Sequence, residues 1–276
     1  LIDLDNDDDQ DLVISTSKWL VFFSNDGKGK FTPRAQLPEG RSGYSLAAAD
    51  HDGDSDLDIF VCMYGSKEIG DTSEPIPYHD ANNGGANVLI RNEGDWKFAE
   101  VTKEVGLDQN NRRFSFAAAW EDYDNDGDMD LDVANDYGRN NLYRNGGGKF
   151  TDVAAEAGVE DVASGMSVSW GDYNHDGHMD VYIGNMFSAA GNRIAFQRGF
   201  KPETTDETKK YIQRLARGNS LFENAGDGTF RDVSETAGVT MGRWAWASVF
   251  ADINNDGWED LMVTNGFLTQ TGDRDL

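Results

Sequence analysis

Asp122-Tyr123-Asp124-Asn125-Asp126-Gly127-Asp128-Met129-Asp130 places a carboxylate at every odd position of a nine-residue segment, with glycine at the sixth. Oxygen ligands at alternate positions suit a hard cation. Side chains at positions 1, 3, 5 and 9, with the backbone carbonyl of position 7, can surround one ion at roughly 2.3–2.6 Å, the range of Ca²⁺. Mg²⁺ prefers fewer protein ligands and more water, and zinc would call for His or Cys. Glycine at position 6 supplies the sharp turn such a wrap needs. Position 12 is Val133, inside the apolar run that follows, where a helix–loop–helix calcium site would need a bidentate glutamate. The segment therefore reads as strand–loop–strand.

The same register occurs four more times. The copies are Asp3-Leu4-Asp5-Asn6-Asp7-Asp8-Asp9-Gln10-Asp11, then 50–58 (DHDGDSDLD), 172–180 (DYNHDGHMD) and 252–260 (DINNDGWED). The side-chain ligand positions are Asp3, Asp5, Asp7 and Asp11; Asp50, Asp52, Asp54 and Asp58; Asp122, Asp124, Asp126 and Asp130; Asp172, Asn174, Asp176 and Asp180; and Asp252, Asn254, Asp256 and Asp260. Asp9, Asp56, Asp128, His178 and Trp258 hold position 7 and would contribute backbone carbonyls. Up to five Ca²⁺ are expected. Asp8 and Ser55 replace glycine at the turn, and serine is the poorer substitute where φ must be positive. His51, His175 and His178 stand at positions 2, 4 and 7, where no side-chain ligand is needed, and read as surface residues.

A second motif alternates with the first. It runs Asn25-Asp26-Gly27 to Phe31, Asn92-Glu93-Gly94 to Phe98, Asn145-Gly146-Gly147 to Phe150, and Asn224-Ala225-Gly226 to Phe230. Such turns accept positive φ cheaply and mark hairpins. Each full repeat thus reads as four strands: A into the acidic loop, B out of it, C ending at the Asn-x-Gly turn, and D from the phenylalanine. Strand A alternates small residues (Ala117, Ala119; Ser167, Ser169, Gly171) with bulky ones (Phe116, Trp120; Met166, Val168, Trp170), as expected of an inner strand between neighbouring sheets. Four antiparallel strands per repeat describe the blades of an all-β propeller. Blade boundaries fall near 1–42, 43–113, 114–163, 164–241 and 242–276, with strand sets of three, four, four, four and two. Seventeen strands are four blades and one strand over, and the chain opens inside a repeat at Leu1-Ile2-Asp3, so part of a larger propeller is expected, with a closed four-bladed ring as the alternative.

Composition narrows the function classes. The 276 residues carry 24 Lys and Arg against 50 Asp and Glu, a formal charge of −26, and 23 of those acidic residues lie in the five loops. Phosphate backbones and anionic headgroups would be repelled, so no nucleic acid or membrane surface is expected as partner. No apolar run approaches a membrane span, so no membrane insertion is expected. The lone Cys62, in Ile59-Phe60-Val61-Cys62-Met63, allows no internal disulfide and reads as a core residue.

These loops, alternating with Asn-x-Gly, Phe and the Ala157-Gly158-Val159 and Ala237-Gly238-Val239 endings, resemble FG-GAP/VCBS repeats over nearly the whole chain. They look closest to bacterial relatives of cartilage acidic protein and, more distantly, to the integrin α-subunit propeller. The resemblance implies a propeller, often seven-bladed, with calcium in the A–B loops. It implies an extracellular, cell-surface or periplasmic location, and it implies no catalytic residues.

Two B–C connections are long, about 64–86 and 186–218, and the second contains a predicted helix over Glu203–Arg217 with Tyr211, Ile212 and Leu215 on one side. They would project opposite the calcium loops, where a protein or glycan partner is expected. His79, Asp80 and Asn82 offer a polar cluster there, against the simpler reading of hydrogen bonds within the loop. The expected function is a non-catalytic calcium-binding module for adhesion or assembly. The alternative is a polysaccharide lyase or hydrolase on the same scaffold, but no G-x-S-x-G or H-E-x-x-H motif is present.

Overall fold

The computed structural model describes residues 1–16, 18–38, 43–65 and 74–266. Hairpin turns and alternating strands give antiparallel sheets throughout. The first contains β1 (Leu12–Ser15), β2 (Trp19–Ser24) and β3 (Thr32–Pro38). The second is β4 (Ser45–Ala49), β5 (Asp58–Cys62), β6 (Val88–Asn92) and β7 (Phe98–Glu100). The third is β8 (Phe114–Glu121) and β9 (Asp130–Asp136), a short β10 (Gly138–Arg139) leaving it, then β11 (Asn141–Asn145) and β12 (Phe150–Asp152). A one-turn helix α1 (Ala154–Ala157) and β13 (Val162–Ala163) follow, and β13 pairs with β10. The fourth sheet is β14 (Gly165–Gly171), β15 (Asp180–Asn185), β16 (Ser220–Asn224) and β17 (Phe230–Asp232), with α2 (Ala189–Ala195) and α3 (Asp206–Arg217) inserted between β15 and β16. The last pair is β18 (Ala245–Ala251) and β19 (Asp260–Asn265). Apart from β10 and β13, the strands fall in sets of three, four, four, four and two, the sets read from the repeats.

Each pair of consecutive full sheets encloses a core, because successive strand residues face opposite neighbours. Along β5, Ile59, Val61 and the adjoining Met63 pack with Leu20 and Phe22 of the first sheet. The intervening Phe60 and Cys62 pack with Leu131, Val133 and Tyr143 of the third. Ala134 and Leu142 then meet Val181, Ile183 and Phe222 of the fourth. Strand A lies at these junctions, as the alternation predicted. Trp120 sits edge-on to Phe60 at 6.4 Å, and Ser169 Oγ donates to the Ser248 carbonyl at 2.6 Å. Cys62 is buried, and burial pushes its thiol up to about 12. β9 departs from the apolar pattern at Asp132, a buried carboxyl whose Oδ1 has no hydrogen-bond partner.

The expected helix begins three residues late, at Asp206, because Thr205 Oγ1 caps it by accepting from Thr208 N at 3.2 Å. Neither α1 nor α2 was legible in the sequence. The first insertion is only partly visible, since 66–73 lie outside the described residues, as do 39–42 and 267–276 of the blade boundaries read above.

If the inter-sheet cores carry the stability, Leu131→Ala, at a fully buried site, should cost about 2–5 kcal/mol in chemical denaturation. Ile253→Ala, at a side chain 59% exposed, should change it by less than about 0.5 kcal/mol. Equal effects would refute this placement of the core.

Candidate metal centres

All five acidic loops share one hydrogen-bond scheme. The first aspartate receives the backbone from both its oxygens. In the third loop Asp122 Oδ1 accepts from Asp126 N and Oδ2 from Gly127 N, both at 3.0 Å. The fifth residue turns back on the seventh, as where Asp126 Oδ1 accepts from Asp128 N at 2.9 Å. Two residues per loop take left-handed φ. Position 6 does so as expected, even where it is Asp8 (70°) or Ser55 (74°). Position 4 does so too, at Asn6, Gly53, Asn125, His175 and Asn255. The preference for Asn and Gly at position 4 was the available signal, since both tolerate this conformation.

The ninth aspartate is the anchor. Asp11, Asp58, Asp130 and Asp180 are buried, with no more than 1% exposed. One oxygen of Asp130 accepts from Tyr123 N at 3.3 Å, and the other from Asn145 N at 2.7 Å. Asp11 does the same with Leu4 and Asn25, and Asp58 with His51 and Asn92. The second motif therefore supplies the partner of the first: its asparagine ends strand C under the acidic loop.

That asparagine also joins repeats. Asn92 Nδ2 donates to the Leu4 carbonyl at 2.9 Å, Asn145 Nδ2 to the His51 carbonyl at 2.8 Å, and Asn224 Nδ2 to the Tyr123 carbonyl at 2.9 Å. Each acceptor is position 2 of the preceding loop. The first two loops also touch directly, where Asn6 Nδ2 donates to Asp56 Oδ1 at 2.8 Å.

The geometry sorts the expected ligands. Ligand-capable oxygens of Asp3, Asp5 and Asp11, of Asp50, Asp52 and Asp54, and of Asp122, Asp124 and Asp130 gather within 4.8 Å in each group. Positions 1, 3 and 9 thus converge in the first and third loops; in the second, 1, 3 and 5 do, and Asp52 and Asp58 also gather with the His51 ring. In the fourth and fifth loops, Asn174 and Asn254 accept at 3.0 and 2.9 Å from Asp176 N and Asp256 N. Asp124 Oδ1 and Asp180 Oδ2 are buried without a hydrogen-bond partner, a donor set suited to an oxygen-seeking cation. Position-7 side chains face elsewhere: Asp128 Oδ2 accepts from Gly147 N at 2.7 Å, and Trp258 stacks on His175 with ring centres 4.1 Å apart.

Burial, then neighbouring carboxylates, raise Asp5 and Asp124 above the ordinary carboxylate range. Asp130 and Asp180 are each pushed to about 7, burial outweighing the Asn145 and Asn224 hydrogen bonds.

One expectation is corrected. His51 is not a surface residue: it is 2% exposed, its Nδ1 lies against Asp58 Oδ2, and its ring faces Phe150 of the next sheet. Position 2 points into the inter-sheet space, as Leu4 and Tyr123 do. His175 is exposed, and His178 is partly covered.

At the other end of the strands the insertions meet. Asp80 accepts from Arg113 Nη1 at 2.9 Å and Arg139 Nε at 3.1 Å, and Arg139 Nη2 donates to Tyr211 Oη of α3 at 3.2 Å. His79 stacks on Tyr211 at 6.0 Å. The Asp80 side chain is thus tied across elements. Within the loop, Asp80 N donates to the Pro77 carbonyl at 3.0 Å and Asn82 N to the Ile76 carbonyl at 3.3 Å, and Asn83 accepts from Ile76 N and donates to the Glu74 carbonyl, both at 2.8 Å.

A family model for FG-GAP-like repeats matches residues 3–61, 122–183 and 211–263, more than half of the chain. The chain belongs to the FG-GAP-like repeat family. A comparison with curated proteins finds no match. Among solved structures, one similar chain comes from a study titled as the specific recognition of non-reducing terminal N-acetylglucosamine by an Agrocybe aegerita lectin. It is 17% identical, covers 92% of this chain and 74% of its own, and has a TM-score of 0.34, too low to bear on fold or ligand.

Asn145→Ala removes two donations, to the His51 and Met129 carbonyls, and the oxygen that accepts from Gly148 N. It should cost about 2–4 kcal/mol in urea denaturation, since buried groups lose their partners. Asn25→Ala, whose amide donates to Gln10 of its own exposed loop, should cost under about 1.5 kcal/mol. A cost for Asn25→Ala as large as for Asn145→Ala would show that the asparagine does not act between repeats.

Proposed function

We propose that each acidic loop holds one Ca²⁺, and that the sheets are blades of a β-propeller of which this chain forms about four and a half, within a seven-bladed whole. In this reading the chain is a non-catalytic module of the extracellular or periplasmic space. Its insertion end takes a protein or glycan partner. The carrying observation is the convergence of three carboxylates within 4.8 Å in each of three loops, with a buried, partnerless Asp124 oxygen in one of them. Like charges this close repel strongly outside bulk water, and a divalent ion converts that repulsion into attraction. Asp3, Asp5, Asp7 and Asp11 would hold the ion of the first loop, and the corresponding residues those of the others. The bound ions supply no redox or acid–base chemistry here. They fix the loops and, through the ninth aspartate and its asparagine, the junctions between sheets.

Chelation should therefore lower the melting temperature by several degrees, and Ca²⁺ should restore it at lower concentration than Mg²⁺, which dehydrates reluctantly. An unchanged melting curve after exhaustive chelation would remove the metal from this reading.

The loops should also rank by ligand charge. Asp126 and Asn174 each accept one backbone hydrogen bond from within their own loop, at 2.9 and 3.0 Å. Asp126→Ala also removes a formal charge from a loop with aspartate at positions 1, 3, 5 and 9. It should lower the Ca²⁺-saturated melting temperature more than Asn174→Ala does. The reverse order would show that the ligands are misassigned.

A further inference from the structure

A cavity of about 1080 Å³ opens at the end of β9 opposite the acidic loop, between the two insertions. Asp136 contributes to its lining and is only 4% exposed. Its carboxyl accepts from Tyr64 Oη at 2.7 Å, from Tyr137 N at 2.9 Å and from the Ser164 side chain. All three donors are neutral. Burial and the adjacent Asp136 both push the Tyr64 phenol upward, so it stays protonated and donates.

Four other carboxylates at this end have a guanidinium. Asp80 has Arg113 and Arg139, Glu160 has Arg139, Asp161 has Arg214, and Asp232 has Arg217. Among the described residues Asp136 forms no such ion pair. Arg243 also lines the cavity. A carboxylate buried without an ion-pair partner is costly, and burial raises its proton affinity.

The walls explain what could compensate. The Tyr78 ring lies 5.1 Å from that of Tyr137, and Phe187 and Trp244 face the same space. Tyr137 is held at φ 59°, a strained conformation for a bulky residue, while its N–H bonds Asp136. Aromatic faces attract cations, and more strongly so when water is excluded. Ile212 and Leu215 of α3 add an aliphatic wall, so a hydrocarbon portion is also accommodated. The net charge of −26 draws cations toward the chain.

We propose that this cavity binds a small organic ammonium, its charged nitrogen against the Asp136 carboxylate and its alkyl groups among the rings of Tyr78, Tyr137 and Trp244. The site rests on the reading of the insertion end as the binding end, but not on the metal centres.

The test is calorimetric titration of the Ca²⁺-saturated chain with choline and with its neutral isostere 3,3-dimethylbutan-1-ol. Choline should saturate, and the alcohol should bind at least about tenfold more weakly. Asp136→Asn should abolish that preference. Because Asp136 also anchors Tyr137, Tyr78→Ala serves as the second variant: the ring is 62% exposed, so melting should be unchanged while choline affinity falls several-fold. Equal binding of the two probes, no heat from choline at tens of millimolar, or a preference surviving both variants would overturn the ammonium site. A glycan-array signal that is lost in Tyr78→Ala, without choline binding, would overturn the ammonium class and keep the binding end. A signal unaffected by that variant, again without choline binding, would overturn both.

Discussion

The rest of the structure depends on the aspartate at the ninth position of the acidic loops, buried in the first four. In the first three loops its carboxyl receives the second residue of its own loop and the asparagine at the end of strand C; in the fourth, Asp180 receives the asparagine alone. That asparagine then reaches the loop of the preceding repeat. A single carboxyl thereby closes the loop, fixes the end of strand C and sets the distance to the next sheet. The apolar cores between sheets fill the space that this framework defines. Hydrogen bonds give register and burial gives most of the energy, so neither alone specifies the stacking.

The same aspartates carry the cost of the design. Asp130 and Asp180 are pushed to about 7, burial being the largest cause. An acid whose folded value lies above its unfolded one weakens the fold when ionised. The penalty is full above about 7 and fades as pH falls toward the ordinary carboxylate value of about 4. At neutral pH, without a counter-ion, these loops are therefore under tension. Their hydrogen bonds lower the proton affinity but do not offset burial. A divalent cation would act directly on this imbalance, and that gives the converging oxygens of the first three loops a physical rationale beyond their spacing.

The two ends of the strands solve the problem of buried charge differently. At the loop end, carboxylates are gathered together. At the insertion end, each of four carboxylates is matched with arginine, and Asp136 stands apart among tyrosines. The separation follows β9 itself, which begins at Asp130 and finishes at Asp136.

Much of this was legible in the residues. The five-fold acidic register, the Asn-x-Gly turns and the small–large alternation of strand A are local signals, and local geometry governs turns, strand direction and strand number. Left-handed φ at the sixth loop position followed from its need for a sharp turn, and the amphipathic stretch ending at Arg217 formed its helix. What tertiary structure decided are relations between residues far apart in the chain. Asn224 meets Tyr123 across 101 positions and Asn145 meets His51 across 94. His51 looked like a loop-surface residue because nothing within its own loop shows that the next sheet covers it. Asp80 looked like a loop residue because both its arginines lie far along the chain, Arg113 just before β8 and Arg139 in β10. The isolation of Asp136 was invisible for the same reason. Periodicity tells which face of a strand is buried, but the partner on that face depends on how neighbouring sheets and insertions pack.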